Sequence, residues 1–225
     1  MSTDPSLLDQ SQAFAAELKG LLQSAIPATP DVKVEVAGHR VVIGTESPIP
    51  LAIKGAHRAT LSVRLRCELD SRGAWLAVEG SSFVLTAVTD RTPVFRFEYL
   101  RRPKTVPCAH LQVHAHRGAL SELLTHGQHP KAHDMSALHI PVGGARFRPC
   151  LEDVVQLLAE DFRFDMLPTW RAAVNPGREE WRRKQVRAAV RDWQEEAAET
   201  LRKLGYSVTA PEEVHQPADV ARFGW

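Results

Sequence analysis

Cysteine is scarce in this chain, and the little there is forms no pattern. Cys67, Cys108 and Cys150 are widely spaced, odd in number and include no C-x-x-C pair, which argues against a disulfide framework or a cysteine-built zinc site. They read as buried thiols of a reducing compartment. Long apolar runs are missing as well: none approaches the roughly 20 residues that a membrane span needs. The opening residues, MSTDPSLLDQ, are acidic and polar, without a basic start and an apolar stretch behind it, so no secretory leader is expected. Net charge is almost absent, +1 from 28 basic and 27 acidic residues, and no global field draws the protein to nucleic acid or anionic lipid. A cytoplasmic protein that does not engage membranes is expected, and any nucleic-acid contact must come from a local patch.

What is present is ordinary globular composition, 44% hydrophobic and 24% charged over 225 residues, enough for a substantial core. Residues 5–25 carry Leu7, Leu8, Phe14, Leu18, Leu21 and Leu22 at helical spacing, with Asp4 and Pro5 as the start and Pro27 beyond the end. From Asp31 to Arg117 the period changes to two. The longest strand, 59–70, sends Leu61, Val63, Leu65, Cys67 and Leu69 one way and Ser62, Arg64, Arg66 and Glu68 the other. Asp70-Ser71-Arg72-Gly73 is a hairpin turn signal. Further strands follow at 75–79, 83–88, 94–100 and 109–116, and short connections between them favour antiparallel pairing. After Arg117 come a short helix (118–125), a polar loop (126–137), a last core strand (137–142) and a helix from Pro149 to about Phe162. A break is expected at Asn175-Pro176-Gly177, then a long charged helix over 178–204 with the apolar line Val186, Val190, Trp193, Ala197, Leu201 and Leu204. The expectation is an α+β fold: a curved, mostly antiparallel sheet with an N-terminal helix and two C-terminal helices packed on it. One domain over 1–225 is expected, with the helix and sheet in 1–145, a helical part in 149–205 and a tail over 206–225.

The segment HLQVHAH at 110–116 carries the most chemical information. On a strand, His110, Gln112, His114 and His116 project together, while Leu111, Val113 and Ala115 point into the core. A row of imidazoles is costly to bury without partners, so this face is either solvated or organised as a site. Imidazole exchanges protons near neutral pH, attacks phosphorus or ligates metal. Between Arg91 and Arg117 lie six basic residues and one acid, Glu98. This pattern is sufficient for metal-independent phosphoester or RNA cleavage. His114 would be the acid–base group, His110 and His116 its assistants and Glu98 a second acid–base group. Arg96, with Arg64 or Arg66, would contact phosphate, and Gln112 would contact substrate. The partner is then RNA or a nucleotide, and no cofactor is needed.

Two other readings stay open. A non-enzymatic module would dock a partner protein through the sheet face or the C-terminal helix, as a component of a toxin–antitoxin or defence system does. A metal-dependent hydrolase would hold a divalent ion between His114 and His116, whose i, i+2 spacing lets two side chains of one strand reach the same ion. The loop holding His126, His129, His133, Asp134 and His139 reads as a polar surface loop, placed to act as a lid over the strand face. Gly143-Gly144 before Arg146 and Arg148 reads as a turn and helix cap, and Glu152 and Asp153 would repel an anion there.

The run LHIPVGGARFRPCLEDVVQLLAEDF at 138–162, with FRFEYLRRP and PCAHLQVHAH before it, resembles an uncharacterised family of actinobacterial proteins, over about 60–205, which brings no activity with it. HLQVHAH is also similar to the strand signature of histidine-triad nucleotide hydrolases. There Gln112 stands where a triad histidine belongs, and Arg117 and Gly118 replace the apolar residues that follow the nucleophile. The plan of curled sheet, basic rim and histidines resembles small toxin ribonucleases of toxin–antitoxin pairs, which implies RNA as substrate.

Overall fold

The computed structural model describes residues 6–70, 73–115, 118–137, 139–142 and 144–210; Asp4, Pro5, Ser71, Arg72, His116, Arg117 and most of the expected tail lie outside them. Helix α1 spans Leu7–Ala25. Its start is fixed one turn back by a reciprocal cap, in which Asp9 N–H donates to the Ser6 hydroxyl at 3.2 Å and Ser6 N–H donates to the Asp9 carboxylate at 3.1 Å.

Eight strands form: β1 Val32–Ala37, β2 Arg40–Thr45, β3 Ile49–Ile53, β4 Ala56–Leu69, β5 Leu76–Ala87, β6 Pro93–Leu100, β7 Ala109–Val113 and β8 Ile140–Pro141; the strands expected at 75–79 and 83–88 are one, running through Gly80, and β3 is not among those expected. They form one antiparallel sheet in the order β1-β2-β4-β5-β6-β7-β8, with β3 pairing the first half of β4 and β2 its second half. The β3–β4 hairpin turns through Lys54 and Gly55, both at positive φ. Asp165 fixes that turn by accepting both backbone N–H groups, at 3.0 and 2.7 Å. The core strand expected over 137–142 shrinks to two exposed residues at the sheet edge, and a 3₁₀ turn at Met135–Ala137 occupies its start.

The apolar set of β4 (Leu61, Val63, Leu65, Cys67) is buried with Phe83, Leu85 and Phe95 against Leu18, Leu22, Val155 and Leu158 of the helical layer. Each fully buried side chain of this size contributes about 1.5–3 kcal/mol. That layer is α1, α4 (Leu151–Glu160) and the first half of α5 (Trp170–Asp192). Shorter helices α2 (Gly118–His126) and α3 (Gly144–Phe147) precede α4, and α6 (Gln194–Lys203) follows α5. Among the described residues no helix is long and apolar enough to cross a membrane.

Two sequence expectations for the C-terminal part need correction. Helix α5 runs straight through Asn175-Pro176-Gly177, although an interior proline costs about 3 kcal/mol. Val174, 1% exposed, and the half-buried Trp170 and Ala173 pack on the core from this turn, and tertiary burial outweighs local propensity. The charged helix is also not continuous: at Trp193 the backbone leaves helical geometry (φ −130°, ψ 59°) and α6 starts afresh. The apolar line chosen from the sequence faces outward, with Val186 62% and Leu204 70% exposed, whereas Ala188 is the residue of that region that is buried.

Close strand packing makes one further expectation sharp. A Cβ placed on Gly44 of β2 would stand 2.6 Å from the backbone oxygen of Val63, an atom that cannot swing aside. Gly44→Ala is expected to lower unfolding free energy by about 1–3 kcal/mol, read from urea denaturation; an unchanged midpoint would show that β2 and β4 part freely.

Candidate functional site

The sheet face opposite the helices carries the polar residues, and the strand register orders them in rows. Arg64 of β4 pairs with Ser82 of β5, Ser82 with Glu98 of β6, and Glu98 with His110 of β7. In the next row Ser62, Val84, Arg96 and Gln112 stand opposite one another. The ladder continues past the end of β7, where His114 N–H donates to Val94 O at 3.0 Å. His110, Gln112 and His114 therefore share a face, as alternation requires. His110 and His114 are nevertheless two rows apart, about 13 Å at roughly 3.3 Å per residue.

His110 sits at the floor of this region, 2% exposed. Its Nδ1 lies 2.8 Å from Pro107 O and its Nε2 3.5 Å from a Glu98 carboxylate oxygen. A carbonyl only accepts, so Nδ1 carries a proton. A bare lone pair on Nε2 would face a carboxylate, so this contact favours a proton on Nε2 as well and with it the imidazolium form. Burial pulls the pKa of His110 down, but the hydrogen bonds to Glu98 and Pro107 and the Glu98 charge outweigh it and leave it raised. The same contact with His110 lowers the pKa of Glu98 despite desolvation. Glu98 is also approached by the Ser82 hydroxyl at 3.4 Å.

The histidine-rich loop folds onto this face. β8 pairs Ile140 with Leu111 and Pro141 with His110, so one step further along the register His139 meets Gln112. The Gln112 amide donates to Ser136 O at 2.7 Å and approaches His139 Nε2 at 3.2 Å. His139 accepts there, which makes it the neutral Nδ1–H tautomer. Its ring stands edge-on to His110, centroids 4.8 Å apart. Burial and the charge of His110 lower its pKa. His126 and His133 remain exposed.

At the other end of the cluster three polar atoms are buried with no partner: Arg96 Nε, Gln112 Oε1 and His114 Nε2. Each such atom costs about 1–3 kcal/mol if left unsatisfied, and here a donor, an acceptor and an imidazole nitrogen come from neighbouring positions. Burial and the Arg96 charge lower the pKa of His114, against a weaker opposing pull from Asp134. Asp134 is held by Ser136, whose N–H and hydroxyl donate to it at 2.9 and 2.5 Å. These hydrogen bonds keep its own pKa low.

Of the residues singled out from the sequence, the structure gathers Arg96, Gln112 and His114 at one end and Glu98 and His110 at the other. Arg64 is exposed in the row of Glu98, two strands away. Arg66 lies a further row off, its guanidinium folded across Gly80, where a Cβ would stand 2.8 Å from Nη2. Asp134 and His139 belong to the cluster although the sequence placed them only in a loop. Among the described residues no group of three or more His, Cys, Asp or Glu side chains is arranged to hold a metal ion; His116 lies outside them. All three thiols are buried, and burial pushes Cys67 up to about 12, far from a reactive thiolate.

No protein-family model, curated protein or solved structure matches the chain.

Proposed function

We propose that the His114 end of the polar sheet face is a phosphate-handling site that cleaves a phosphoester of RNA or a nucleotide without a metal. The observation that carries this reading is the cluster of three unpartnered buried atoms on Arg96, Gln112 and His114. A phosphate group presents oxygens that accept from Arg96 Nε, and a substrate hydroxyl donates to the neutral imidazole of His114. Its depressed pKa keeps that imidazole unprotonated at neutral pH, free to accept a proton as a general base must. In RNA, Nε2 takes the 2′-hydroxyl proton, O2′ attacks phosphorus, and the 5′-oxygen leaves and takes a proton from water. Arg96 neutralises the charge that accumulates on the phosphorane oxygens. Glu98 and His110 act as positioning residues, their ion pair fixing the β6–β7 floor on which Arg96 and Gln112 stand. Arg64 supplies an outlying cation.

The face favours a short substrate over a long single strand. Phe95, Phe97 and Tyr99 all alternate onto the core side of β6, which removes the stacking surface that single-strand binders use.

The test is incubation of the purified protein with a uridylyl-adenosine dinucleotide and with nucleotides, product being followed by chromatography. Turnover is expected to fall about 10²–10⁴-fold in His114→Ala, while Arg96→Met loses inorganic phosphate binding in ³¹P NMR titration. Equal turnover in wild type and His114→Ala, or no turnover in either, would sink the proposal.

A second reading, a module that docks a partner protein, is favoured by the exposed Val186 and Val190 of α5, Trp193 at the break after it, Leu201 of α6 and Leu204 at its end. Under that reading Trp193→Glu abolishes co-purification of a partner and leaves the dinucleotide assay unchanged.

A further inference from the structure

Helix α6 is ten residues long and none of them is buried, whereas a helix this short is marginal in water without packing. Its apolar positions, Ala197, Ala198 and Leu201, nevertheless recur at helical spacing, and Leu201 is exposed, as is Leu204 at the helix end. The second half of α5 is similar. Val186 and Val190 stand exposed one turn apart, on the face opposite the buried Ala188.

The charges of this stretch are sorted by sign. Arg182, Arg183, Lys184, Arg187 and Arg191 follow one another on α5 with no acid among them, and Glu195, Glu196 and Glu199 follow on α6 with no base among them. Arg183, Arg187 and Arg191 are spaced by four, and like charges at that spacing work against their own helix. The ion pairs made within the chain are Arg183–Glu179, Lys184–Glu17, Arg187–Glu180 and Lys203–Glu199, all exposed and worth at most about 1 kcal/mol each. None of them joins the basic block to the acidic one. Among the described residues Arg182, Arg191, Glu195 and Glu196 make no ion pair.

A block of each sign on either side of Trp193 is self-complementary under a two-fold rotation. A second copy, reversed, lays acids on bases and bases on acids in one isologous contact. Any other protein would have to offer the same two blocks in the same order. We propose that α5 and α6 form the interface of a homodimer, antiparallel about a two-fold axis near Trp193. Val186, Val190 and Leu201 are its apolar part, and the basic block of each copy faces the acidic block of the other. The dimer rests on the docking reading of these residues, whose partner it names, and not on the chemistry of the polar face.

The experiment is sedimentation velocity of the full chain across a wide concentration range, with charge-reversed variants. Wild type is expected to pass from monomer to dimer, and Val190→Glu to lower the association constant about tenfold or more, the cost of an unpaired charge in a closed interface. Arg187→Glu with Arg191→Glu makes both blocks acidic, and Glu195→Lys with Glu199→Lys makes both basic. All four positions are exposed, so both double variants keep the fold, checked by circular dichroism. Neither is expected to self-associate, while an equimolar mixture restores a dimer with one copy of each. Wild type that stays monomeric throughout, a dimer that survives in either double variant, or a mixture that stays monomeric would overturn the proposal. A monomer that still retains a different protein through Trp193 also overturns it, and leaves the docking reading standing with another partner.

Discussion

Replacing His110 with alanine is expected to destabilise the protein by about 3 kcal/mol, near the lower end of the 3–5 kcal/mol found when one partner of a buried ion pair is removed. The lower end applies because Glu98 keeps 31% of its side chain exposed and is partly answered by water. The loss comes from two uncompensated groups, the Pro107 carbonyl and the Glu98 carboxylate, and from the space left by a ring that is 2% exposed. The same contacts give the effect a pH signature. His110 holds its proton more tightly in the folded state, so its contribution is complete below the ordinary imidazole value of 6.5 and fades as pH rises through the raised folded value. Glu98 works in the opposite sense: its contribution is complete above the ordinary value of 4.5 and is lost as pH falls through the depressed one. The pair is therefore worth most between pH 4.5 and 6.5. His110→Gln, which donates to Pro107 without carrying charge, isolates the ionic part. In urea unfolding its deficit against wild type is larger at pH 5.5 than at pH 9. A deficit of the same size at both would mean that the imidazole is neutral and the carboxylate is not its partner.

How far the sequence foretold this arrangement depends on what each residue answers to. Alternation in β4 and β6 is local, set by a two-residue period and a one-sided core, and Leu61 to Cys67 and Phe95 to Tyr99 fall where the period puts them. The outward placement of Arg96, Gln112 and His114 follows from the same rule. The burial of His110 does not, because it depends on the turn before the strand, where Pro107 O meets its Nδ1, and on chain that arrives later, His139 beside it. Nothing in HLQVHAH distinguishes the covered imidazole from the half-covered one. The split of the cluster into two ends is likewise a matter of register, two rows of strand that a list of histidines does not measure.

The helices show the opposite balance. Core spacing located α1 and α4, since Leu18, Leu21 and Leu22, and Leu151, Val154, Val155 and Leu158, are short-range signals; the cap of α1 is Ser6-x-x-Asp9, whereas the sequence pointed to Asp4-Pro5 as its start. Pro176 is a strong local signal too, yet it misleads, because α5 is held by burial of Val174 and Trp170 and not by its own propensity. The apolar line from Val186 to Leu204 satisfied the period of a packed helix, but the helix turns Ala188 inward and leaves that line outside. Periodicity reports that a face exists; which face finds a neighbour is decided by the crossing geometry. Arg148, read from the sequence as part of a cap, acquires its aromatic surroundings only because β6 and α5 bring Tyr99 and Trp181 to it from 49 residues before and 33 after.

The second large effect expected concerns the rate at the His114 site and its dependence on pH. If the imidazole accepts a proton from the substrate hydroxyl, turnover requires its neutral form, so the rate rises with pH and levels off once His114 is deprotonated. Burial and the charge of Arg96 depress its pKa, which places the acid limb below 6.5 and leaves the site fully active at neutral pH. The two charges that flank the ring move that limb in opposite directions. Asp134 favours the protonated ring, so Asp134→Asn lowers the His114 pKa and shifts the limb to more acidic pH. Arg96 disfavours it, so Arg96→Met shifts the limb toward neutrality while also lowering the plateau, because the phosphorane loses its cation. His114→Ala removes the limb altogether along with about 10²–10⁴ of the rate. These opposite displacements, measured as turnover across pH 4.5–8.5 and checked against the His114 ring shift in NMR, are specific to a base that feels both neighbours. A limb that stays in place in both variants would assign the proton transfer to another group and leave His114 a structural member of the sheet face.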